Sequence, residues 1–204
     1  MMISKRILVS VLTFLFSVSV YAAEPYKNIV PAQPTQTAEG KIEVVEVFWY
    51  GCPHCYDFEP HINGWVANLP EDVEFRRMPG IFSKNWVAHA KAYYAAEKLG
   101  VLDKIHTPLF EALHKDRKRI FSESELRDFF ESKGVDGDEF TKAYNSNEVE
   151  VRFKQAFLMG QRYKITGVPA VVVNGKYMTG SALAGSYENL LKTMDMLVDK
   201  ERGE

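Results

Sequence analysis

Residues 42–55, IEVVEVFWYGCPHC, decide how the chain is to be read. From Ile42 to Tyr50 the residues are β-branched or aromatic almost throughout, the composition of a central strand buried on both faces. The tetrapeptide Cys52-Pro53-His54-Cys55 follows its end directly. Pro53 suits the first position of a helix, where its missing N–H leaves no bond unmade. The helix is expected to run to about Asn68, with Pro60 inside it kinking it by removing one backbone hydrogen bond. The pair Cys52 and Cys55 thus falls where a strand hands over to a helix.

Working outward, Glu24 to Gly40 carries Pro25, Pro31 and Pro34 among Gln and Thr and reads as an extended lead-in without regular periodicity. Downstream, Asp72 to Met78 offers a second strand that ends at Pro79-Gly80. From about Lys84 to Tyr163 the signals are helical. Ser122 with Glu125, and Asp136 with Glu139, are both spaced as capping boxes. Leu126, Phe129 and Phe130 make an apolar face behind the first, and Phe153, Ala156, Phe157 and Gly160 do so later. Ala170 to Val173, Asn174-Gly175, and Lys176 to Thr179 form a hairpin signature. A last helix starts from a Ser186 cap and carries Tyr187, Leu190, Leu191, Met194, Leu197 and Val198 at helical spacing.

Strand, helix, strand, helical block, hairpin, helix is the order of an α/β, thioredoxin-like fold with an inserted all-helical domain. The expected division is a signal peptide at 1–22, an extended lead-in at 23–40, a thioredoxin-like domain from 41–83 and 164–204, and the helical insertion at 84–163.

With 204 residues, 46% of them hydrophobic and 13% aromatic, the chain can bury a sizeable core, which excludes a disordered or fibrous protein. Lys5 and Arg6 precede an apolar run from Ile7 to Val20, and Val20-Tyr21-Ala22 has the small-residue pattern of a cleavage site. The run is short for a bilayer and is diluted by Ser10, Thr13, Ser17 and Ser19, so a removed signal peptide is expected rather than an anchor. The formal net charge is −2, and losing Lys5 and Arg6 makes it more negative; no nucleic-acid or membrane-surface partner is indicated. Exported proteins usually use cysteine in structural disulfides. This chain has only 2 cysteines, and a bridge closing so small a loop removes little unfolded-chain entropy. The pair therefore serves something other than stability.

At a helix N-terminus, unpaired backbone N–H groups and the positive end of the helix dipole favour a thiolate, which makes Cys52 the expected reactive thiol. Cys55, one turn on and turned toward the protein body, is the expected resolving thiol. His54 can donate a hydrogen bond or carry charge beside the thiolate. A zinc site would need four ligands, and only Cys52, Cys55 and possibly His54 or His61 lie close in sequence. A c-type haem attachment needs histidine directly after the second cysteine, and that residue is Tyr56. An inert structural disulfide remains an alternative to the redox reading.

Glu46 stands out as the one charge within a run of apolar strand residues, six before Cys52. Buried, its pKa would rise, and it could accept or relay the proton of Cys55; on a less buried face it would be an ordinary exposed acid. Val168-Pro169 taken alone reads as a trans proline at a strand start. His61, His89, His106 and His114 show no ligand spacing and read as surface or helix-packing residues, and Trp49, Trp65 and Trp86 as core.

Joined together, EVFWYGCPHC at 46–55, GVPAVVVNG at 167–175, the signal peptide and the helical block make the chain resemble the DsbA family from about Gly40 to Lys200. Thioredoxins usually carry Cys-Gly-Pro-Cys and protein disulfide isomerases Cys-Gly-His-Cys, whereas Cys-Pro-His-Cys is typical of that family. The resemblance implies a periplasmic dithiol oxidase that gives its Cys52–Cys55 disulfide to newly exported proteins and is reoxidised by a DsbB-like, quinone-linked membrane protein. It implies Cys52 as nucleophile, Cys55 as its resolving partner, Pro169 as a cis-proline facing the site, and Val168 as a backbone contact for an extended substrate. Glu46 matches the family's buried acid and Pro60 its helix-kinking proline. A basic residue often accompanies that acid, and the sequence does not place its equivalent among residues 72–77. No metal or organic cofactor is expected, and a monomer is. The rival readings are a reductant or isomerase of the same fold, disfavoured by Pro53-His54 and by the absence of an obvious dimerisation domain, and a peptide-binding chaperone with incidental cysteines.

Overall fold

The structure, a computed structural model, describes residues 24–203, and the signal-peptide reading of residues 1–22 lies outside the described residues. At its centre is β2, Ile42–Phe48, buried at every position as its composition requires. It pairs in parallel with β3 (Val73–Pro79) and antiparallel with β4 (Ala170–Val173). β4 pairs with β5 (Tyr177–Gly180), and β5 with β1 (Tyr26–Asn28), both antiparallel, giving the order β1-β5-β4-β2-β3. Asn174 and Gly175 between β4 and β5 both have positive φ, 49° and 64°, as a tight hairpin needs.

The connection from β2 to β3 is α1, Pro53–Val66, with Pro60 inside it. Between β3 and β4 come α2 (Lys84–Lys98), α3 (Leu102–His114), α4 (Glu123–Ser132), α5 (Gly137–Tyr144) and α6 (Asn147–Arg162). After β5 follow α7 (Ser181–Ala184) and α8 (Tyr187–Arg202).

Because side chains alternate along a strand, β2 and β4 feed two apolar clusters. Ile42 and Val44, with Val171 and Val173, pack on Phe58 and Ile62 of α1 and Leu190, Met194 and Leu197 of α8. Val45 and Val47, with Ala170 and Val172, face a larger cluster built with Ile105, Leu109, Phe110, Leu126 and Phe130 from the helical block. Each such side chain, fully buried, stabilises the fold by about 1.5–3 kcal/mol.

Several expectations need correction. The lead-in is not wholly irregular, because β1 lies within it and closes one edge of the sheet by pairing Tyr26 with Thr179. Glu46 is not the one charge buried in β2: Glu43 is equally inaccessible and is held by Arg76 Nε at 2.8 Å. Strand β2 ends at Phe48 and α1 at Val66, two residues short of the expected ends in each case. The Ser122–Glu125 capping box is complete, whereas Asp136 accepts from the N–H groups of Asp138 and Glu139 with no return bond from the Glu139 side chain among the described residues. Phe157, counted in the apolar face of α6, is 41% exposed.

Candidate active site

The tetrapeptide lies where β2 and α1 meet. Cys52 is the N-cap of α1, with extended backbone (φ −91°, ψ 116°), and Pro53 takes the first helical turn without requiring an acceptor. The Cys52 carbonyl starts the helix by accepting from the N–H groups of Cys55 and Tyr56, both at 3.1 Å. Both cysteines are free thiols and buried, Cys52 at 8% and Cys55 at 0% exposure.

Their electrostatics are opposite. The Cys52 thiol is pulled from 9.0 down to about 6, chiefly by the hydrogen bond its sulfur accepts from Cys55. Burial opposes this, and the backbone N–H groups of Cys55 and His54, then the charge of His54, lower it further. Cys55 is pushed far up, first by burial and then by its bond to Cys52 and the charges of Cys52 and Glu46. His54 and Pro53 are exposed beside the pair, and the His54 carbonyl accepts from the Tyr187 hydroxyl of α8 at 3.0 Å.

Across from the thiol, the Val168-Pro169 bond is cis, so the trans reading taken from the residues alone is corrected and the form implied by the resemblance is present. The Val168 carbonyl accepts from Cys52 Sγ at 3.5 Å.

Beneath the thiols, Glu46 is completely buried, which rules out the exposed alternative. Its basic partner is Arg77, adjacent on β3 in the parallel register, whose Nε donates to Glu46 Oε2 at 3.0 Å. Burial lifts the Glu46 carboxyl from 4.5 to about 7; the Arg77 charge opposes the rise and Glu59 adds to it. Among the described residues Glu46 Oε1 has no hydrogen-bond partner, which adds to the cost of charging a carboxyl buried there.

Sequence reasoning missed the rest of this buried set. Glu59 lies one turn after Cys55 on α1, a helical spacing that could have revealed it. Burial pushes its carboxyl up, but His106, Arg77 and Asn63 together hold it below the ordinary range. His106 of α3 donates from Nε2 to the Glu59 Oε1 carboxylate (3.2 Å), and because burial favours its neutral ring, Nδ1 is left to accept from the Tyr50 hydroxyl (2.8 Å). His114 donates from Nε2 to the Tyr50 carbonyl at 2.7 Å and stacks on Tyr56. Trp49 and Trp86, read as core, are only half-buried and stack on each other with ring centroids 4.2 Å apart. His61 is exposed with its ring 5.3 Å from that of Tyr187, and Trp65 bonds to Asp195 at 2.7 Å.

A sheet and helix of this order, carrying two thiols held so unequally, define the class: a thiol:disulfide oxidoreductase of thioredoxin fold. A family model described as a DSBA-like thioredoxin domain matches residues 70–192, and the chain belongs to the DsbA family. It is 46% identical to the thiol:disulfide interchange protein DsbA of Azotobacter vinelandii over 86% of this chain and 79% of that one. To the protein of the same name in Pseudomonas syringae it is 43% identical, over 92% and 90%. The crystal structure of Pseudomonas aeruginosa DsbA superposes with a TM-score of 0.84 at 42% identity, covering 88% of this chain and 93% of that one. That of Xylella fastidiosa DsbA gives 0.83 at 38% identity, over 89% and 97%.

Proposed function

We propose that this oxidoreductase runs as a dithiol oxidase in the periplasm, donating a Cys52–Cys55 disulfide to newly exported, reduced proteins. The observation that carries the direction is the opposed setting of the two thiols, Cys52 drawn down to about 6 and Cys55 driven up. A thiolate stabilised in the reduced protein makes the disulfide oxidising, a link for which DsbA proteins are themselves the standard illustration.

A client thiolate attacks Cys52; the client–Cys52 bond forms as the Cys52–Cys55 bond breaks, and Cys55 leaves as a thiolate. Glu46, poised near neutrality below it, gives Cys55 the proton that its burial demands. A second client thiolate then attacks the mixed disulfide at the client sulfur, releasing Cys52 as the stabilised thiolate. Pro53 sets the helix start, His54 adds charge and donors beside Cys52, and Val168 with Pro169 offers backbone to an extended client. Helices α2–α6 act as the inserted unit that walls the site. The protein works as a monomer without metal or organic cofactor, and a DsbB-like membrane quinone reductase takes up its electrons.

Equilibration with glutathione buffers tests the reading. The expected potential is far more oxidising than the roughly −270 mV of thioredoxin, and a value near that figure would overturn the oxidase assignment.

A further inference from the structure

The last helix also reaches the thiols. Tyr187, the first residue of α8 after its Ser186 cap, packs its ring against Phe58 of α1 with centroids 5.3 Å apart, and His61 lies at the same distance from it. So placed, its hydroxyl donates to the His54 carbonyl at 3.0 Å. That carbonyl belongs to the same peptide unit as the N–H of Cys55, one of the backbone donors that draw the Cys52 thiol down. The same N–H helps to start α1 by donating to the Cys52 carbonyl at 3.1 Å. One planar, conjugated group thus carries Tyr187 at its oxygen and Cys52 at its nitrogen. A hydrogen bond accepted by the oxygen of such a group polarises it and makes its N–H a stronger donor, by about 10–30% per bond. A carbonyl oxygen has two lone pairs, so the bond from Tyr187 adds to the helix ladder instead of competing with it.

We propose that Tyr187 is a positioning residue for the Cys52 thiolate: its hydroxyl polarises the His54–Cys55 peptide unit, whose N–H is a donor to the Cys52 sulfur, and so favours the reduced protein. The action is selective for one redox state, because a disulfide sulfur carries no charge for that N–H to stabilise. It deepens the dithiol-oxidase reading, on which its consequence for clients rests: a thiolate held more firmly in the reduced protein makes the disulfide more oxidising. Burial, then the charges of Asp57, Cys52 and Cys55, raise the Tyr187 hydroxyl above its ordinary range, so it stays a donor wherever Cys52 titrates. The hydroxyl is not needed to fasten the two helices, since Phe58 and Ile62 of α1 already meet Leu190 and Met194 of α8 in one apolar cluster. The charged and titratable groups facing the bond are His54, Asp57 and His61 of α1, while Glu188 beside Tyr187 is taken up by Lys192 at 2.6 Å.

The test compares the full-length mature protein with Tyr187→Phe, which keeps the ring on Phe58 and removes only the donor. Both are equilibrated with glutathione buffers at pH 4.5 and pH 7.5, and the Cys52 thiolate is titrated by its ultraviolet absorbance. At pH 7.5, where Cys52 is ionised, the variant's equilibrium is expected to lie about threefold further toward the disulfide, and its Cys52 pKa to rise by about half a unit, the same threefold read on the proton. At pH 4.5, where the thiol is neutral in both proteins, the two equilibria coincide. His54, Asp57 and His61 are common to parent and variant and cancel from the comparison. Unchanged equilibria and an unchanged Cys52 pKa overturn the proposal. So does a shift of equal size at both pH values, which would make Tyr187 a packing residue between α8 and α1. A parent as reducing as thioredoxin would instead overturn the oxidase reading, and the pH-dependent difference between parent and variant would still decide the role of Tyr187.

Discussion

At Cys52, a thiol lowered from 9.0 to about 6 is also a statement about stability. A depressed pKa stabilises the folded, reduced protein fully above the unfolded value near 9, and the contribution is lost as pH falls through 6. The oxidised protein has no such thiolate. Between pH 6 and 8 the unfolding free energy of the reduced form is therefore expected to gain on that of the oxidised form by about 1–2 kcal/mol, allowing for the sulfur's residual contact with water. Paired urea titrations at several pH values check this, and a pH-independent difference would contradict it. Glu46 has the opposite sign. Its carboxyl is raised from 4.5 to about 7, so its contribution is intact below 4.5 and is lost as pH rises through 7. Glu46→Gln should be more stable than the parent at pH 8 by about 2 kcal/mol, with no such gain at pH 4. If Glu46 delivers the Cys55 proton, the same variant should slow thiol exchange about a hundredfold in stopped-flow, the low end of what a positioned proton-transfer group contributes.

At the scale of elements, β2 shows what the sequence makes legible and what it does not. Its apolar composition marked a doubly covered strand, and the proline after Cys52 marked the helix start, because both signals are local. The same strand also buries Glu43, which escaped notice, since a buried charge is made tolerable by a partner from another strand. Arg76 and Arg77, neighbours on β3, reach opposite faces of the sheet and hold Glu43 and Glu46 separately. Only the parallel register of β2 on β3 reveals this division. Likewise β1 looks irregular in isolation and becomes a strand through its pairing with β5, with the Thr179 hydroxyl donating to the Pro25 carbonyl at 2.7 Å. The register yields a prediction. Glu43→Ala leaves the largely covered Arg76 without its carboxylate and should cost about 2–3 kcal/mol in urea unfolding, less than a fully buried pair because Arg76 keeps some solvent contact. The glutathione equilibrium should not move, because Glu43 lies on the face away from Cys55; a shifted potential would show that the two glutamates are coupled.

At the scale of the whole molecule, the helical insertion is tied to the thiol-bearing core through histidines, and each tie was invisible in a sequence where these residues have no regular spacing. His114 holds the Tyr50 carbonyl and His106 the Tyr50 hydroxyl, while His89 donates to the Ile120 carbonyl at 2.6 Å inside the insertion. Burial drives the His89 imidazole from 6.5 down to about 4 and lowers His106 as well. Histidines buried in the neutral form contribute stability above 6.5 and lose it as pH falls through their folded values. The insertion is thus weakened by acid over much of the range in which the Glu46 region below the thiols is strengthened by it. Glu46 should therefore offset part of what the two histidines lose between pH 6.5 and 4.5. Replacing His89 by Gln, which keeps a donor for Ile120 but cannot be protonated, should tilt the stability profile: relative to the parent, the variant gains about 2 kcal/mol on going from pH 6.5 to 4.5. Urea unfolding at the two pH values reads the tilt directly. An equal offset at both would mean that His89 acts through packing alone, and that the acid response of the insertion lies with His106.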